Sequence, residues 1–66
     1  MKRFDAIFHG DALTADIHDS VFGGVDMVIL LQRQGREREV IHFANYSSYE
    51  EAEKEMRAAF PSVIWR

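Results

Sequence analysis

Residues 2 to 9 alternate, with Phe4, Ala6 and Phe8 on one side and Asp5, Ile7 and His9 on the other. A period of two marks a strand, and Gly10 ends it. Residues 25 to 33 form the clearest strand. Val25, Met27, Ile29 and Leu31 share one face, and Asp26, Val28, Leu30 and Gln32 share the other. Gln34-Gly35-Arg36 then predicts a tight hairpin turn. The partner strand covers residues 37 to 44, with Ile41 and Phe43 opposed to Val40, His42 and Ala44.

Residues 48 to 60 predict a helix. Ser48 and Glu51 fit a capping box, in which each side chain satisfies a free N–H of the first turn. Glu50 and Glu51 suit the positive end of the helix dipole. Tyr49, Ala52, Met56, Ala59 and Phe60 form an apolar stripe, and Pro61 stops the helix near Phe60. Residues 62 to 65, Ser-Val-Ile-Trp, are short and β-prone and predict a last strand. Residues 11 to 22 admit two patterns. Leu13, Ile17 and Val21 recur every four positions behind a capping Asp11, with Gly23-Gly24 as a stop, which favours a helix. Leu13, Ala15 and Ile17 also alternate with Thr14, Asp16 and His18, which would make a strand of residues 12 to 18.

With the helix, the order is β-α-β-β-α-β in a single domain of residues 1–66. The fold class is α+β, the ferredoxin-like plait. Two right-handed crossovers place both helices on one face of a four-stranded antiparallel sheet of order 4-1-3-2. Such a sheet should be polar on its open face. Here Ile7, Val28 and Leu30 would face out, and the strand over 25 to 32 would sit at an edge with Asp26 as the single charge in its apolar part. Unprotected apolar strands invite pairing. Val28 and Leu30 are therefore candidate self-association residues, and the chain is expected to form a homodimer.

Composition narrows the chemistry. Hydrophobic residues make up 47% of the chain, too apolar for disorder. The longest apolar run, Met27 to Leu31, is far short of the roughly 20 residues a membrane-spanning helix needs. Asp5 interrupts the apolar stretch a signal peptide would carry, so a cytoplasmic protein with no membrane partner is expected. Cysteine is absent, which excludes disulfides and thiolate metal sites. The net charge of −3 disfavours direct nucleic-acid binding. His9, His18 and His42 lack helical metal-ligand spacing, although the plait sets His9 and His42 on neighbouring strands. No nucleophile-elbow or phosphate-binding pattern is present. The expectation is a non-enzymatic module with no cofactor and no metal.

From Phe4 to Leu31 there are five aspartates (Asp5, Asp11, Asp16, Asp19, Asp26) and no Lys or Arg. On the first predicted helix Asp11, Asp16 and Asp19 project beside the apolar stripe, and Glu51 and Glu55 flank the second. Together they are candidate partner-binding residues. They would form either a negative surface that imitates DNA phosphates before a basic nucleic-acid-binding groove or a solubilising surface. In size, mild acidity, lack of cysteine, clustered Asp11, Asp16 and Asp19 and compact α/β plan, the chain resembles small phage-encoded anti-CRISPR proteins that inhibit type I systems. That resemblance implies action in the host cytoplasm as an inhibitor that binds a protein partner, a nucleic-acid-binding subunit, and blocks its access to target DNA. The alternative is a homodimeric ferredoxin-like regulatory or ligand-sensing domain.

Overall fold

The computed structural model describes residues 1–66 and has five elements. They are β1 (Lys2–Phe8), β2 (Asp11–Asp19), β3 (Val25–Gln32), β4 (Glu39–Tyr46) and α1 (Tyr49–Ala59). The sheet is a four-stranded antiparallel meander of order β1-β2-β3-β4, with one helix. The fold is thus α+β, but it is not the plait.

The expected first helix over residues 11 to 22 is strand β2. The cause lies just before it. His9 and Gly10 both have positive φ, 51° and 83°, and Phe8 pairs directly with Asp11. A two-residue loop with both central residues at positive φ is a type I′ hairpin turn, whose twist matches the flanking strands. Asp11 therefore opens a strand rather than capping a helix. Once β2 returns beside β1, no crossover is needed, and the order 4-1-3-2 gives way to 1-2-3-4. β3 moves from the sheet edge to its interior, with β2 and β4 as neighbours. His9 and His42 lie near opposite edges of the sheet rather than on neighbouring strands.

Gly23-Gly24 does not stop a helix. Both glycines have positive φ and close the loop between β2 and β3. The loop is braced by Ser20 N–H to Gly24 C=O at 3.0 Å, Gly23 N–H to Ser20 C=O at 3.2 Å, and Asn45 Nδ2 to Gly23 C=O at 3.1 Å. At its tip Val21 and Phe22 stand more than 90% exposed, so Val21 joins no buried stripe.

The core is the sheet face toward α1. Leu13, Ala15 and Ile17 of β2 and Val25, Met27, Ile29 and Leu31 of β3 are buried there with Ala6, Ala52 and Met56. Alanines at 6, 15 and 52 let the helix approach closely, and Met56 fills the remaining gap with a flexible side chain. Ser48 caps α1 by accepting from the Glu51 N–H at 3.1 Å, and Phe60 ends it. The flank beyond α1 is closed by the C-terminal segment, whose Phe60, Val63 and Trp65 pack against the core with Phe4 and Phe8. The Phe8 and Phe60 rings meet edge to face at 5.3 Å.

Residues 62 to 65 do not form the expected last strand. The segment nonetheless touches the outer edge of β1, where Asp5 and Arg66 exchange both backbone hydrogen bonds at 2.8 Å. A bulge in β4 is the other departure. Ile29 pairs with His42 and Leu30 with Val40, leaving Ile41 unpaired. An extra residue resets the alternation, so Val40 shares a face with Phe43 rather than with His42 and Ala44.

Candidate protein-binding surface

Strand parity and register fix the sheet face turned away from α1 as four rows. The first is Ile7, Ala12 and Gln32, and the second is Asp5, Thr14, Leu30 and Val40. The third is Arg3, Asp16, Val28 and Phe43, and the last is His18, Asp26 and Asn45. No element of the chain covers these rows. Ile7 is 67% exposed, Val40 61% and Phe43 65%. Val28 and Leu30 are half-buried by their neighbours and open above. In the two middle rows the β3 and β4 half is an apolar field of Leu30, Val40, Val28 and Phe43, and the β1 and β2 half is polar.

The polar half is an ion cluster. Arg3 Nε lies 3.7 Å from Asp16 and 4.0 Å from Asp5, both too long for hydrogen bonds. Thr14 Oγ1 donates to Asp5 at 3.2 Å. This is how a hydroxyl is accommodated at a position where Thr14 is itself buried. At the loop end of the face Asn45 Nδ2 donates to Asp26 at 3.0 Å. Beyond the opposite end, the β3–β4 hairpin carries Arg33, Arg36 and Arg38 together with Glu37 and Glu39, all exposed, and Arg33 lies 4.0 Å from Glu39. The hairpin end is thus of mixed charge, and Asp26 is the one carboxylate in the row at the loop end.

The acidic residues singled out in the sequence do not assemble into one surface. Asp16 lies on the open face and is paired with Arg3. Asp11 and Asp19 share the helix-side parity of β2 but sit at its two ends, about 27 Å apart at the usual strand rise. Asp19 accepts a hydrogen bond from the Tyr49 hydroxyl at 2.9 Å, which raises the Tyr49 pKa above 10.0. Glu51 accepts from Ser47. Burial, with lesser contributions from Glu55 and Glu51, raises the Tyr46 pKa as well. Asp19 and Glu51 thus brace the start of α1. The sequence placed these acids together only because it placed Asp11, Asp16 and Asp19 on a helix.

The surface that the sequence only partly disclosed is the apolar field itself. Val28 and Leu30 were visible from alternation, as was Ile7 on the far edge strand. The pairing of Val40 with Phe43 required the bulge at Ile41, for which β4 carries no glycine or proline marker. No group of three or more His, Asp and Glu side chains converges. A cleft of about 490 Å³ lies between β1 and the C-terminal segment, with Ile7, Ala12, Val63 and Ile64 in its walls. Asp5 and Arg66 are its charged groups, and their backbones are paired with each other across it. No helix of the chain is long and apolar enough to cross a membrane. No family model matches the chain, and neither a curated protein nor a solved structure matches it.

Proposed function

We propose that this chain is a small non-enzymatic protein-binding module whose contact surface is the open face of the sheet. The observation that carries the proposal is the adjacency of Val28, Leu30, Val40 and Phe43 on β3 and β4, with Val40 and Phe43 61% and 65% exposed. Contiguous exposed apolar surface on a small domain marks an interaction site, whereas scattered single residues do not. The polar rim of Arg3, Asp5 and Asp16 supplies orientation, as charged groups do around an apolar contact. The role of inhibitor, which the anti-CRISPR resemblance implies, is a binding role of this kind, exercised by occupying a partner's surface. The structure favours the open face over the helix-side acids as the means, because Asp16 stands on the other side of the sheet from Glu51 and Glu55.

The test replaces Phe43 by a photoreactive phenylalanine analogue, with the same analogue at the exposed helix position Ala58 as control. Cross-links to protein from position 43 and none from position 58 are expected. Cross-links from the helix side alone would contradict the proposal.

A further inference from the structure

Resting on the open face as the contact surface, the register points to its occupant: we infer that a second copy of this chain docks there, face to face, about a two-fold axis. The axis lies in the interface and crosses the strands between the Leu30/Val40 row and the Val28/Phe43 row. A two-fold contact must be self-complementary, with residue i meeting j and j meeting i. The axis carries the row Asp5-Thr14-Leu30-Val40 onto the row Arg3-Asp16-Val28-Phe43 of the second copy. Leu30 and Val40 then lie against the second copy's Val28 and Phe43, apolar on apolar. Asp5 lies over the second copy's Arg3, and Arg3 over its Asp5, opposite charges twice.

The outer rows carry less charge into the contact. The last row of one copy, with Asp26 already bonded to Asn45, lies over the first row of the other, with Ala12 and Gln32. The parallel alternative, with the axis along the strands at the middle of the sheet, lays Asp5 on the second copy's Val40 and Arg3 on its Phe43, charge on apolar. Arg3 has charge to spare for the contact, since its two ion pairs within the chain exceed hydrogen-bonding distance and its side chain is half exposed. Packed sheets cross at about −30°, a rotation that shifts β1 by less than one row spacing and that the length of Arg3 absorbs.

Size agrees with a modest dimer. Four strands about 4.8 Å apart and seven residues of about 3.3 Å rise give a projected footprint of roughly 400 Å² per copy. That is about 800 Å² for the pair, the scale of a weak, concentration-dependent contact rather than of a permanent dimer.

The test is a charge swap between two chains. Arg3→Glu sets Glu against Asp5 twice in its own dimer, and Asp5→Arg sets Arg against Arg3 twice. In a mixed pair Glu at 3 meets Arg at 5, and Asp5 meets Arg3, so both contacts are restored. Sedimentation equilibrium of the wild-type chain should show self-association above 7.7 kDa. Each variant alone should associate at least ten-fold more weakly, because like charges face each other across the two-fold. An equimolar mixture should recover the wild-type constant. Circular dichroism confirms that both variants remain folded. A wild-type chain that stays at 7.7 kDa at millimolar concentration overturns the inference, as does a mixture no tighter than its components. If the monomer persists while position 43 cross-links to another protein, the second copy is excluded and the open face as a binding surface stands. If position 43 cross-links to nothing, both fall.

Discussion

The loop between β2 and β3 is set by one atom of space. An added Cβ on Gly24 would lie 2.3 Å from the Tyr46 carbonyl oxygen, where about 3.0 Å is the least a real contact allows. The obstacle is backbone, so at least 0.7 Å of movement must come from the loop or from the end of β4. Either movement works against the Val25–Tyr46 pair and the Asn45 bond to Gly23. Gly23 is the natural control, since its φ is also positive, 96°, yet nothing lies within 4 Å of its added Cβ. Backbone strain costs an alanine about 1–2 kcal/mol at either position. Displaced contacts should add about 2 kcal/mol at Gly24 alone, the scale of a lost hydrogen bond plus disturbed packing. Gly24→Ala should therefore cost about 3–4 kcal/mol and Gly23→Ala about 1–2 kcal/mol. Urea unfolding of the two variants, followed by circular dichroism, measures both. Equal losses would refute the close approach as the reason for Gly24.

Met56→Ala should cost about 2–4 kcal/mol in the same assay, because Met56 and Ala52 are the only fully buried side chains of α1; a loss under about 1 kcal/mol would mean that the helix is not anchored through them. In a Tyr46→Phe background, tyrosinate absorbance should show Tyr49 titrating above 10.0, and Asp19→Ala should bring it back toward that value. The sign follows from the protonated phenol being the donor to Asp19: the bond's contribution is present below pH 10 and is lost as pH rises through the raised folded pKa. An unchanged titration after Asp19→Ala would exclude the bond.

Alternation was enough to find β1 and β3. The capping pair Ser48 and Glu51, with Pro61, bounded α1 to within a residue or so. The stretch after Gly10 was ambiguous for a physical reason. Leu13 and Ile17 lie on one face at both period two and period four, and Ala15 is too small to settle between them. The deciding feature was the His9-Gly10 turn: histidine shares with Asn and Asp a readier entry to positive φ, but His-Gly is not the Asn-Gly or Asp-Gly pair that marks such a hairpin in a sequence. One misassigned element then carried three others with it: the sheet order, the edge position of β3, and the grouping of Asp11, Asp16 and Asp19. The apolar open face survived because the parity of Ile7, Val28 and Leu30 does not depend on strand order. The addition of Val40 did depend on more, because a bulge is a property of pairing and not of one strand's composition.

An NMR dilution series of amide shifts, from millimolar to micromolar protein, asks most directly which surface meets another molecule of this chain. Concentration-dependent shifts should cluster at Arg3, Asp5, Asp16, Val28, Leu30, Val40 and Phe43, with residues on the outer side of α1 such as Lys54 and Ala58 unmoved. Shifts confined to α1, or spectra that superimpose at every concentration, would contradict self-recognition through the open sheet.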